Sequence, residues 1–207
     1  MSFAILEYPK KNEKAMITFI RPMYARDYTE DDKSLWTDDK WIVEPKHDGH
    51  RILATWDECF SRQGNAKNID FIQAAIPYGT MFDGEIVTPT GNYGNVTSAL
   101  GSKDWGKLSY VVFDILYSNG NYVGNMIYRE RRKIIEAYFD TLRLTKKVVL
   151  CDNIIENKKE YAEKLIASGS EGVVLKNIFE KYHPNGRHAC VKYKRKNYIE
   201  TPEHNFL

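Results

Sequence analysis

Seven short runs rich in Val, Ile, Tyr or Phe, at 41–45, 51–56, 81–88, 109–117, 147–151, 171–177 and 189–195, commit most of the chain to β-strands. Helical spacing is confined to three intervals. Residues 68–76 place Ile69, Ile72 and Ile76 on one side; 128–142 carry an apolar stripe of Ile134, Ile135, Tyr138, Phe139 and Leu142; 157–168 are opened by Asn157, with Glu160 three residues on, and closed by Gly169. Strands and helices mix without strict βαβ alternation. The pattern therefore predicts an α+β fold of mainly antiparallel sheets flanked by helices, with a doubly wound sheet as the weaker alternative. No repeat or linker divides the 207 residues, so a single domain is expected. Residues 1–40, polar and irregular with an acidic patch at Glu30, Asp31, Asp32, Asp38 and Asp39, read as a lead-in with short helices.

Charge interrupts the strands at a regular interval. Side chains of a strand alternate faces, so residues two apart share a side. Glu44 and Lys46 are two apart, as are Asp83 and Glu85 in FDGEIV and Lys192 and Lys194 in VKYKR, while EGVVLK begins with Glu171 and ends with Lys176. The solvated outer face of an antiparallel sheet gives the same alternation. Such a face, however, would mix Thr, Lys, Glu and Gln in no order. Here opposite charges open or close apolar strands beside Gly49, Gly84 and Gly172, which permit close backbone approach to a ligand. That composition suits a polyphosphate and a metal.

A lysine that acts as a nucleophile must lose its proton, and partial burial and neighbouring cations, including a divalent metal, would move Lys46 in that direction. Glu85 and Glu171 are hard oxygen ligands of the kind magnesium accepts. Lys192 and Lys194 would neutralise charge on a phosphate under attack. Phe113, between aliphatics in YVVFDILY, reads either as a core residue or as a stacking surface for a purine.

The formal net charge of +2 gives no global basic field, so any polyanion must be held by local clusters. Arg129, Arg131, Arg132 and Lys133 are expected on the solvated face of a helix; Lys192, Lys194, Arg195 and Lys196 belong to a strand end. Cys59, Cys151 and Cys190 are odd in number and far apart, which points to a reducing compartment and core positions. His47 with His50, and His183 with His188, lack the companion ligands of a structural zinc site. No run approaches a membrane span and no leader opens the chain, so an intracellular, cytoplasmic or nucleoid-associated protein of cellular or viral origin is expected, without a membrane partner.

Taken in order, the motifs resemble those of the covalent nucleotidyltransferases, and within them the ATP-dependent DNA ligases. The signature Lys-x-Asp-Gly-x-Arg stands at Lys46, Asp48, Gly49 and Arg51, followed by SRQG at 61–64, FDGEIV at 82–87, YVVFDILY at 110–117, EGVVLK at 171–176 and VKYKR at 191–195; RPMYA at 21–25 resembles the signal that precedes this domain. Ordered together they are far more specific than a lone KxDG. The resemblance implies an ATP-grasp-like nucleotidyltransferase domain. In it Lys46 attacks the α-phosphate of ATP and holds AMP, Glu44 reads the adenine amino group, Arg51 contacts the ribose and Phe113 stacks on the base. It implies that Arg62 binds phosphate of AMP or of a DNA 5′ end. Glu85 and Glu171 would handle metal (Mg2+, or Mn2+) and ribose, and Lys176, Lys192 and Lys194 the α-phosphate. Asp83 and Asp114 recur in such motifs, with strand-holding as the simpler role. The implied partner of a monomeric enzyme is nicked double-stranded DNA, with an RNA ligase, a capping guanylyltransferase or a non-catalytic nucleic-acid-binding module as alternatives. Cys190 and Val191 stand where ligases often carry Trp and Leu. The twelve residues KNYIETPEHNFL after Arg195 cannot build an OB-fold, so the expectation is an adenylation domain cut from a longer protein whose OB-fold domain acts in cis.

Overall fold

The computed structural model describes residues 17–89, 92–142 and 146–195; the start of the lead-in (1–16), the final stretch from Lys196, and the side chain of Leu142 lie outside the described residues. Two sheets face each other. The first, of four strands, runs β1 (Arg26–Asp27), β11 (Cys190–Lys194), β10 (Gly172–Asn177), β2 (Trp41–Lys46). The second runs β5 (Ala66–Lys67), β4 (Cys59–Ser61), β3 (His50–Ala54), β6 (Met81–Val87), β7 (Ser109–Ser118), β8 (Asn121–Tyr122), with β9 (Val148–Leu150) also on β7. Every pairing is antiparallel except β1 with β11 and β7 with β9, so the mixed α+β fold expected from the sequence is the one present.

The strands are apolar on both sides because three layers of core flank them. Ile52, Phe82 and Ile115 point from β3, β6 and β7 into a core shared with Ile72, Val96 and Ile135 of the helices. Their neighbours Leu53, Met81 and Leu116 point the other way, into a core between the sheets that includes Met23, Tyr182 and Cys190. Val173 and Leu175 of β10 and Val43 of β2 form a third core with Trp36 and Ala162. Alternation with period two therefore serves two apolar sides, which is why these runs look continuous rather than amphipathic. All three cysteines are free and buried, as expected of core residues.

Among the described residues four α-helices cover the outer faces: α1 (Asp70–Gln73), α2 (Tyr93–Gly101), α3 (Tyr128–Leu142) and α4 (Lys158–Ala167). The interval 68–76 yields a helix of only 4 residues, since the chain tightens from Ile72 onward into i→i+3 bonds such as Ala75 N to Ile72 O and reaches Pro77. Helix α2 has no counterpart in the sequence reading. Gly94 and Gly101 weaken its pattern, and Asn92 supplies the start by accepting hydrogen bonds from the backbone N–H of Gly94 and Asn95. Asn157 precedes α4 as expected but takes a left-handed conformation, φ 48°, and makes no side-chain cap bond. In α3 the expectation of a wholly solvated basic face is corrected. Arg131 is fully buried and Arg132 is 12% exposed, because the helix is pinned to β7 and to the segment after β9 through them. Among the described residues no helix is long and apolar enough to cross a membrane.

Candidate active site

Strand register explains why the charges of the first sheet meet. Glu44, Val174 and Lys192 are opposite one another across β2, β10 and β11, and Lys46, Gly172 and Lys194 form the next row but one. One face of that sheet thus carries a rank of charge aimed at the second sheet. Gly172 leaves no side chain between Lys46 and Lys194. A Cβ there would lie 2.2 Å from the Tyr193 carbonyl oxygen. At Gly49 and Gly84 likewise the close approach is to a neighbouring strand, at Ile86 O (2.0 Å) and Val111 O (2.4 Å), so these glycines admit backbone rather than the ligand the sequence suggested.

On the second sheet the decisive feature is an irregularity. Gly84 pairs with Val112 and Asp83 with Asp114, so Phe113 is an extra residue bulged from β7. A bulge re-aims side chains, and here both Phe113 and Asp114 reach the same wall. The gap between the sheets is a cavity of about 740 Å³ lined by Glu44, Lys46, Arg51, Arg62, Glu85, Phe113, Lys176 and Lys192, among others. Eight of the ten sequence-predicted site residues share this wall. Glu171 is buried behind it, at the amine of Lys46, and Lys194 stands one row outward, close enough for its charge to act on Glu171.

The polar contacts divide the cavity into two ends. At one, Glu44 is 2% exposed and pinned through both oxygens: the Tyr128 hydroxyl donates to Oε1 at 2.6 Å and Lys176 Nζ lies 2.6 Å from Oε2. Lys176 also donates to the Phe113 carbonyl and sits 4.8 Å from its ring centroid, with Arg51 5.3 Å from the same ring. Burial works against the Lys176 charge, yet Glu44 and Asp114 outweigh it and raise the pKa. At the other end Lys46 Nζ is 2.6 Å from Glu171 Oε1. Burial pushes the Glu171 carboxyl above the ordinary carboxylate range, with Lys46 opposing the shift.

Asp83 and Asp114 hold the frame. Asp83 takes both forks of Arg51 at 2.9 and 2.7 Å and the Tyr182 hydroxyl at 2.7 Å. Asp114 takes Arg131 at 2.7 and 2.8 Å. Arg51 also donates to the Met23 carbonyl, which ties the RPMYA segment to the cavity. Tyr128, Tyr182 and Arg131 escaped sequence reasoning because each acts through a partner distant in the chain. The only local signal was a polar tip on residues in otherwise apolar or basic surroundings.

Residues 22–194 match the family described as ATP dependent DNA ligase domain. A DNA ligase of Archaeoglobus fulgidus is 30% identical over 169 residues, a match covering 70% of this chain and 30% of that protein. The chain thus spans less than a third of the length of that relative. Among solved structures, a Lig E DNA ligase superposes with a TM-score of 0.70 at 21% identity, covering 86% of this chain and 70% of that one. A mycobacterial DNA ligase D complexed with ATP gives 0.69 at 22%, covering 86% and 61%. At these identities the two structures establish a common fold.

Proposed function

This chain belongs to the ATP-dependent DNA ligase domain family, and from that premise we propose that it is an adenylation domain in which Lys46 becomes covalently joined to AMP. The observation that carries the proposal is the placement of the Lys46 amine on the cavity wall, 2.6 Å from a buried carboxylate of raised pKa. Glu171 accepts the ammonium proton, and the freed Lys46 nitrogen attacks the α-phosphorus of ATP. A nitrogen–phosphorus bond forms as the bond to the bridging oxygen breaks, and pyrophosphate leaves with that electron pair.

The rest of the wall orients the nucleotide. Phe113 offers its ring to the base, and Glu44, whose oxygens each receive one donor already, presents lone pairs that suit the adenine amino group. Arg51, locked by Asp83, faces the ribose region; Arg62 and Lys192 serve the phosphates, with Lys194 in support. Lys176 stabilises the base end through Glu44 as well as adding positive charge toward the α-phosphate. A magnesium or manganese ion would neutralise phosphate charge when bound. Glu85, a carboxylate on the cavity wall, would hold it. AMP then passes to the 5′-phosphate of a DNA nick, and the 3′-hydroxyl displaces it to join the strand.

Incubation with α-labelled ATP should leave acid-labile label on the chain, and Lys46→Arg should carry none, since a guanidinium stays protonated. Preferential labelling by GTP, or label retained in that variant, would overturn the assignment.

A further inference from the structure

The segment between β10 and β11 holds a cluster that adenylation does not use. Glu180, His183 and His188 bring a carboxylate oxygen and two imidazole nitrogens within 4.8 Å of one another. Glu180 Oε2 and His183 Nε2 are 2.9 Å apart, and the two imidazole rings lie 4.1 Å centroid to centroid. From the sequence the histidines lacked a companion ligand; the fold supplies Glu180 from one turn earlier.

The backbone under this cluster is fixed at several points. Gly186 N donates to His183 O at 2.8 Å, and Tyr24 N donates to Gly186 O at 2.8 Å. Asn185 N reaches Pro22 O, Tyr182 N reaches Gly124 O, and Tyr128 N reaches Glu180 O. Ordering the ligands therefore costs little further chain entropy. A side chain at Gly186 would place Cβ 2.8 Å from His183 Cβ and 3.6 Å from His188 Cε1, so the missing side chain is what lets the imidazoles converge.

We propose that Glu180, His183 and His188 form a binding site for a divalent transition-metal ion, zinc foremost. Two imidazoles and one carboxylate are a borderline donor set that suits zinc, whereas magnesium and calcium take oxygen ligands almost entirely. Zinc bonds of about 2.0–2.1 Å put tetrahedral ligand atoms about 3.4 Å apart. His188, exposed at the rim, closes the remaining distance, and water takes the fourth position. The same segment gives Tyr182 and Arg187 to the cavity wall, so the ion stiffens one side of the nucleotide site. The assignment does not depend on the ligase reading.

The test is titration of the metal-stripped chain with zinc in a large excess of magnesium, followed by calorimetry and melting temperature. One zinc per chain is expected, with a melting temperature raised by a few degrees and restored by EDTA. Cobalt in its place should give the visible absorption of a tetrahedral site. His188→Gln, at an exposed position, should fold as the parent does and weaken zinc binding at least tenfold, and Glu180→Gln should weaken it further when combined. Absence of saturable zinc binding, or binding unchanged in His188→Gln, would leave an ordinary Glu180–His183 ion pair and overturn the proposal.

Discussion

Tyr128 illustrates what a single hydroxyl contributes to this site. It reaches Glu44 across 84 positions of sequence, and burial followed by the Glu44 charge holds its own pKa far above the ordinary tyrosine value, so it stays a donor. A hydrogen bond to a charged group is worth about 1.5–3 kcal/mol. Tyr128→Phe should therefore raise the KM for ATP roughly tenfold and narrow discrimination against GTP, with little change in the labelling rate at saturating ATP. Steady-state labelling with both nucleotides checks this. Asp32 provides a pH signature in the lead-in. Its carboxylate takes Arg26 Nη1 at 2.6 Å and the backbone N–H of Thr29 at 2.8 Å, chiefly the former lowering its pKa from 3.8 to about 2. A depressed pKa means that the stabilisation is full above the unfolded value and fades as pH falls from 3.8 toward 2. Asp32→Asn should melt below the parent near neutral pH, and the gap should close in that acid window.

Elements are joined by contacts that their own patterns do not announce. Helix α3 is bound to β7 through the Arg131–Asp114 pair, whose side chains are 0% and 2% exposed. Burial opposes the carboxylate, but Arg131 prevails and lowers the Asp114 pKa. Removing one partner of such a pair leaves an uncompensated buried charge, at a cost of about 3–5 kcal/mol. Arg131→Met should show that loss in a urea melt. Strand β6 is equally constrained by packing: Gly84→Ala would set a methyl 2.4 Å from the Val111 carbonyl oxygen, a backbone atom with little room to move. A destabilisation of about 1–3 kcal/mol is expected from overpacking, with the bulge at Phe113 displaced and AMP transfer slowed as a result.

At the scale of the molecule, the cavity lies between two sheets, so a ligand there bridges them. ATP at a hundred times its Kd should stabilise the chain by about 2.7 kcal/mol, read as a rise in melting temperature. Phe113 belongs to none of the three apolar cores. Phe113→Ala should accordingly abolish most of the ATP-induced rise while lowering the ligand-free melting temperature much less. Equal losses in both would mean that the ring serves packing.

The sequence alone accounts for the strand runs, helices α3 and α4, and the charged pairs at 44/46, 83/85 and 192/194, because apolar period and side-chain chemistry are local properties. It also placed Lys46 within an ordered set of motifs. Folding was needed to bury Arg131, to set Glu171 behind the wall beside Lys46, to bring Tyr128 and Lys176 onto Glu44, and to turn Phe113 inward through an extra residue in β7. Those outcomes depend on strand register and on depth of burial, which are set by partners scores of residues away and leave no periodic trace in the chain.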